Sequence, residues 1–329
     1  MSRINLALAC GRYDRTMPLI EGRVAPEGIG LNYLPMAPEE IFWRMEIHNE
    51  FDASEFSLGN YSILTSRGDR RFIAIPVFPS RFFRHSSIFI NVRCGIQKPG
   101  DLRGKRIGTP DYTMTANVWI RGFLQHDYGI RFSDVQWFAG GLNQPGRKPR
   151  IAVKPMEGLS IRDIGENTLS KMLEDGEIDA VMGAREPDCY LKGSPNVSRL
   201  WPDYHVVEED YFRRTGIFPI MHIVVIRRDI YEHHPWVAQS LYKAFVQSKE
   251  LCAREMLNRT TLRYMLPWIN EEIEKTVKLM GEDFWPYGLE SNRRLLDSFI
   301  TYASEQGLLE SAIRSEDLFA KETLETFRV

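Results

Sequence analysis

No stretch of this 329-residue chain holds the roughly 18 consecutive apolar residues that a membrane span requires. It has no excess of either charge: 42 basic against 44 acidic residues leave a formal net charge of −2. That balance offers no cationic field for nucleic acid, and no acidic tail is present, so neither a nucleic-acid nor a membrane partner is expected. Cysteine is sparse. Cys10, Cys94, Cys189 and Cys252 form no CxxC pair, which excludes a zinc knuckle or dithiol motif and suits reduced thiols in the cytosol. HxH and HExxH patterns and clustered carboxylates are missing, as are a Walker loop and a GxGxxG after a strand. No metal or nucleotide cofactor is therefore expected, although a ligand set drawn from separated residues such as Glu55, His85 and His222 stays open. No repeat of fixed period occurs.

What is present describes an ordinary globular protein, 43% hydrophobic and 26% charged, long enough for two lobes with their own cores. "INLALAC" ends at Cys10 like a lipoprotein box, but seven apolar-leaning residues after one basic residue are too few for an export signal. It reads better as a first strand, and a cytoplasmic location is the expectation.

Strands and helices then alternate. "GLNYLPM" (30–36), "FDASEFS" (51–57) and "RFIAIPVF" (71–78) read as strands. "PEEIFWRMEIHNE" (38–50) opens with proline and two acids, the chemistry of a first helical turn, and 58–69 is a second helix. Such alternation argues an α/β fold with a largely parallel sheet. A second unit of the same kind runs from about 93 to 215 and includes a Pro-, Gly- and base-rich loop at 141–158. The strands 86–92 and 221–227 carry the chain across and back, and helices at 236–257, 268–280 and 291–306 follow. The expected division is 1–88 with 221–329 as the first lobe and 89–220 as the second. Two lobes joined by two crossing hinge strands imply a ligand cleft between them.

The runs "EFSLGNY", "IPVFPSRFFRHSSIFIN", "DLRGKRIGTPDYTMTANVWIRG", "RRTGIFPIMHIVVIRRDIYEHHPWVAQ" and "LMGEDFWPYGLESNRR" together span almost the whole chain. They resemble the 4,5-dihydroxyphthalate decarboxylase family, with local departures at Gly59 and in "GAREP". The resemblance implies a two-lobed fold like that of type II periplasmic binding proteins. It also implies loss of one carboxylate from an ortho-dicarboxylated catechol, giving 3,4-dihydroxybenzoate and carbon dioxide without a cofactor. The expected partner is thus a small aromatic carboxylate, and a homo-oligomer stays open. A solute-binding protein for an aromatic or other organic anion is the rival reading, and a lyase of the same fold with different chemistry is a third.

Such a reaction needs an acid near the ring carbon, an acceptor near the phenol and holders for two carboxylates. His85 and His222 begin the two crossing strands and are the best acid–base candidates. Glu55, at a strand-to-helix junction with Ser57 and Asn60, is a partner for His85 or an acceptor for a phenol. Arg81 and Arg84 offer planar forks for carboxylates, with Ser86 beside them and Phe82 and Phe83 available to an aromatic ring. Thr113 and Thr115 start a helix whose amides suit an anion, and Asp111 is placed to orient a hydroxyl. Tyr13, Asp14 and Arg185 follow strands, at the ends where open α/β sheets bind ligands.

Overall fold

The computed structural model describes residues 3–154, 156–258 and 260–324. Its strands are β1 (Ile4–Cys10), β2 (Ile29–Pro35), β3 (Ala53–Ser57), β4 (Phe72–Arg81), β5 (Ile88–Asn91), β6 (Arg106–Thr109), β7 (Gln136–Ala139), β8 (Ile161–Asp163), β9 (Ala180–Met182), β10 (Val197–Arg199) and β11 (Ile220–Arg227). The chain divides into two units. One comprises Met1–Arg81, His222–Asp297 and Ile313–Val329, the other Phe82–Met221 and Ser298–Ala312.

The first unit is built on a five-stranded sheet in the order β2-β1-β3-β11-β4. β1 runs parallel to β2 and β3, as strands joined by helical crossovers must. β11 returns after the long excursion through the second unit and pairs antiparallel with β3. The sheet is therefore mixed rather than largely parallel: a returning strand without its own crossover helix is free to enter in either direction. Both faces are covered, so β3 and β11 read as nearly continuous buried runs. The helix Pro38–His48 starts with proline at its first position and Glu39 and Glu40 in its first turn. It stops at Asn49, whose left-handed φ of 49° asparagine tolerates better than most residues. Its Phe42 packs on Phe56 with ring centroids 5.9 Å apart.

The second unit carries a six-stranded sheet, β10-β5-β9-β6-β7-β8. β9, β6, β7 and β8 are mutually parallel neighbours, while β5 is antiparallel to β9 and to β10. Phe89, Leu169, Leu173, Ile178 and Val181 form a core on this sheet. The helix Thr115–Tyr128 buries ten consecutive residues from its start and ends on Gly129 in the left-handed conformation. Its Trp119 packs against Phe299 and Tyr302, which explains why the chain from Ser298 groups with this unit although 291–306 follows the first-lobe helices in sequence. Among the described residues no helix is long and apolar enough to cross a membrane, and the four cysteines are unbridged.

Candidate functional site

In the first unit the register of three strands gathers one polar cluster. β11 pairs with β3 so that His222 lies opposite Ser57 and Val224 opposite Glu55. Residues opposite in an antiparallel pair share a face, so Glu55 and His222 are diagonal neighbours on one face. β1 pairs Ala9 with Ser54, which brings its last residue, Cys10, alongside Glu55. Glu55 is completely buried, yet both its oxygens are satisfied. Oε1 accepts from His222 Nδ1 at 2.5 Å and from the Tyr13 hydroxyl at 2.7 Å. Oε2 accepts from the Gly11 amide at 2.8 Å and the Cys10 thiol at 3.4 Å. Burial alone would raise the Glu55 carboxyl. The hydrogen bond and charge of His222, then the Gly11 amide and the Tyr13 hydroxyl, outweigh it and hold the group below the usual carboxylate range.

The consequence for His222 is chemical. Nδ1 is committed to Glu55, the ring edge meets Phe42 at 4.9 Å, and a fifth of the side chain stays exposed. Among the described residues Nε2 makes no hydrogen bond, so it is the atom free to give or take a proton. Glu55 itself has no oxygen to spare for a substrate phenol. The expected role of direct acceptor does not match this geometry; Glu55 orients the imidazole through Nδ1.

The depressed Glu55 carboxyl carries a pH signature. Its contribution to stability is fully present above the unfolded carboxyl's value of about 4.3 and is lost as pH falls through the lower folded value. The expected result is a loss of stability below about pH 4, with a shallower slope in Glu55→Gln, checked by chemical denaturation at stepped pH.

The other first-unit candidates have structural partners. Ser57 caps the helix Leu58–Ser66 by accepting from the Asn60 amide, and the Asn60 side chain donates to Glu46 at 3.2 Å. Asp14 accepts from the Arg15 amide and pairs with its guanidinium at 2.9 Å. Arg81 is buried and donates to the Pro286 carbonyl and to Asn292 Oδ1, and burial lowers its pKa to about 9.

Arg84, in the second unit, differs. Its guanidinium lies 4.4 Å from the ring of the exposed Phe82, with Nε on Met221 Sδ and Nη1 on the Ala184 carbonyl at 3.3 Å. Among the described residues no carboxylate is within ion-pair distance, and Nη2 makes no hydrogen bond. Burial lowers the pKa to about 10, with the charge of Glu208 opposing, so the group remains a cation at neutral pH. A buried cation without a bonded counterion, next to an exposed aromatic ring, suits an aromatic carboxylate. Phe83 is stacked on Phe218 instead.

His85 occupies a different environment from His222. Its ring stacks on Phe123 at 4.2 Å, with Trp201 and Tyr211 around it, and neither nitrogen has a hydrogen-bond partner among the described residues. Burial, then the charge of Arg214, lowers its pKa to about 4, so it is neutral at working pH. A closed-off neutral ring does not meet the demands on an acid. His85→Ala is expected to lower stability by roughly 1–3 kcal/mol through lost aromatic packing while kcat stays near normal, read by thermal melts and steady-state kinetics.

The remaining second-unit candidates divide similarly. The Ser86 amide donates to Glu208 at 3.1 Å, and its carbonyl accepts from Arg199. Asp111 Oδ1 accepts from both the amide and the hydroxyl of Thr113 at 2.9 Å, so these two residues close a turn on each other. The N-cap of the helix Thr115–Tyr128 is Met114, which supplies no side-chain cap, and Thr115 is buried as the first helical residue. Arg185 is exposed just beyond β9.

Cys10, Gly11, Phe42 and Glu208 were not singled out from the sequence. Cys10 and Gly11 end a strand beside another strand's end, a signal available in principle. Glu208 lies in the charged run "EEDYFRR", which reads as a solvated helix face; burial in fact raises its carboxyl despite the Ser86 amide and hydroxyl. Among the described residues no three His, Cys, Asp or Glu side chains gather as a metal site.

Two units, each an α/β mixed sheet, define the class. The fold matches the periplasmic aliphatic sulphonate binding protein SsuA from Escherichia coli with a TM-score of 0.54 at 13% identity, covering 98% of this chain and 99% of that one. A putative sulfonate-binding SsuA from Methylobacillus flagellatus KT matches at 0.53 and 15% identity, covering 97% and 92%. The class is thus the two-lobed type II periplasmic-binding-protein-like fold. No family model matches the chain. Sequence relatives are more specific: a 4,5-dihydroxyphthalate decarboxylase of Comamonas testosteroni is 40% identical over 330 residues, covering all of both chains. Another of that name from Pseudomonas putida is 44% identical over 214 residues, covering 65% of this chain and 83% of that one. The chain belongs to the 4,5-dihydroxyphthalate decarboxylase family.

Proposed function

We propose that this protein is a carboxy-lyase that converts 4,5-dihydroxyphthalate to 3,4-dihydroxybenzoate and carbon dioxide. The name shared by its relatives gives the reaction, and the buried Glu55 that holds His222 by Nδ1 and leaves Nε2 free is the observation that gives it a proton donor. The phenol para to the departing carboxylate gives its proton to solvent, regains it when the ring rearomatises, and in between releases electron density to the carbon bearing the departing group. Protonated His222 delivers its Nε2 proton to this carbon. The dienone breaks its carbon–carboxylate bond, expels carbon dioxide and regains aromaticity, and one proton is consumed per turnover. Glu55 stays ionised throughout and faces the imidazolium.

Arg84 fits the carboxylate that stays. Gripping the departing group tightly in the ground state would oppose its loss, because only contacts that strengthen in the transition state accelerate the step. Arg84→Met is expected to raise KM about ten- to a hundredfold, the worth of a charged hydrogen bond of roughly 1.5–3 kcal/mol, with kcat within a few-fold. Steady-state kinetics would show the split.

The deciding experiment is incubation with 4,5-dihydroxyphthalate, with release of carbon dioxide and of 3,4-dihydroxybenzoate followed together. In D2O the product should carry one deuterium at the carbon that lost the carboxylate. Binding of the dianion with no carbon dioxide released would overturn the reading in favour of a solute-binding role. Unbridged cysteines fit a reducing compartment, and we place the enzyme in the cytoplasm; cell fractionation tests that.

A further inference from the structure

Glu55 Oε1 is a shared oxygen. The Tyr13 hydroxyl and His222 Nδ1 both donate to it, at 2.7 and 2.5 Å, while the Gly11 amide and the Cys10 thiol occupy Oε2. Two donors on one oxygen compete for the same charge density, and in a buried cluster this competition is felt strongly. We propose that Tyr13 is a positioning residue: by drawing charge from the oxygen that braces His222, its hydroxyl weakens the hold of His222 on its proton and makes it a better acid toward the ring carbon. The inference rests on His222 being the proton donor proposed above.

The surroundings leave little else to set that balance. From β1, Cys10 bonds to Glu55, and from β2 the Tyr33 hydroxyl donates to the Gly11 carbonyl at 2.8 Å. The Arg15 guanidinium lies 4.3 Å from the Tyr13 ring centroid and is paired with Asp14. On the helix Pro38–His48, Phe42 meets the imidazole, while Glu46 accepts from Asn60. Burial, then the Glu55 charge, holds the Tyr13 phenol above its ordinary value, so it remains a donor throughout the working range. Burial and then Glu55 do the same for the Cys10 thiol.

Gly11 makes the arrangement possible. A Cβ there would lie 2.5 Å from Tyr13 Cζ and 2.6 Å from its hydroxyl oxygen. Gly11 is outside the left-handed region, so it is the ring and not the backbone that forbids a side chain. Gly11→Ala should push the phenol off Oε1 while leaving it in the chain, and Tyr13→Phe removes the hydroxyl while leaving the ring.

The test is an NMR titration of the histidine ring signals in the intact protein, with His222 assigned by the signal lost in His222→Ala. In Tyr13→Phe the midpoint of the His222 signal should move up by about half to one pH unit, and in Gly11→Ala it should move the same way. The pH profile of kcat/KM for 4,5-dihydroxyphthalate should move with it. An unmoved midpoint in folded variants overturns the proposal, as does a lowered melting temperature with the titration unchanged, which is what a purely structural Tyr13 gives. If Tyr13→Phe fails to fold, Gly11→Ala decides. The titration needs no substrate, so a wild-type protein that releases no carbon dioxide overturns the decarboxylase reading separately.

Discussion

His222→Ala lowers kcat by about 10²- to 10⁴-fold while KM stays within a few-fold. That range is what a positioned general acid contributes to a proton transfer, and protonating an aromatic carbon is slow without one. Among the described residues Nε2 is the atom of the Glu55 cluster left free of a protein partner, so none of them replaces it once the ring is gone. The side chain is only a fifth exposed and its Nδ1 braces the buried Glu55, so truncation also costs stability, because it removes the partner of a buried carboxylate. A His222→Ala protein that kept near-normal turnover would remove this residue from the mechanism. Rate and melting curve on one preparation separate a lost acid from a lost fold.

Glu55→Gln is the second large effect, and its reasoning is a matter of donors. All four partners of Glu55 donate: the His222 Nδ1–H, the Tyr13 hydroxyl, the Gly11 amide and the Cys10 thiol. A carboxylate accepts from all of them, but a carboxamide has one accepting end and one donating end. If its NH2 faces Oε2's partners, it meets the Gly11 amide, which cannot turn away. If it faces His222, the imidazole must offer Nδ1 as acceptor, its proton sits on Nε2 in a neutral ring, and the imidazolium loses its counter-charge. The second arrangement resembles the loss of the orienting aspartate in a serine-protease triad, where the wrong tautomer costs about 10⁴ in kcat. The expected result here is a fall of about 10²–10⁴ in kcat, since the imidazolium loses its counter-charge in either arrangement, with a further loss of roughly 1–3 kcal/mol of stability where the Gly11 amide is left unsatisfied. Near-normal kcat with only reduced stability would make Glu55 a structural carboxylate.

The sequence was informative about the residues of this cluster and silent about their pairing. Glu55, Tyr13 and His222 could be singled out because each is a chemically able side chain at the end of a strand or just beyond one. From the sequence Glu55 reads as a partner for His85 or an acceptor for a phenol, and nothing along the chain pairs it with His222. Only the antiparallel pairing of β11 with β3 puts His222 beside it, and no local pattern announces the direction of a strand that returns after a whole intervening unit. The arginines show the same limit. Arg81 and Arg84 are the same residue type three positions apart in one motif. Arg81 is claimed by Pro286 and Asn292, more than two hundred residues away, while Arg84 finds no carboxylate to bond among the described residues.

By itself the sequence determined the α/β class, the succession of strands and helices, the family and the short list of reactive side chains. These follow from local periodicity, capping chemistry and residue type, all written along the chain. Tertiary structure alone decided which histidine is free to work. His85 and His222 have the same intrinsic chemistry and the same placement in sequence, each near the start of a strand. One is enclosed by Phe123, Trp201 and Tyr211, and burial without a counter-charge keeps it neutral. The other is braced by a buried carboxylate and keeps one nitrogen free. A proton carrier is defined by the charges and donors around it, and those arrive from segments far apart in sequence.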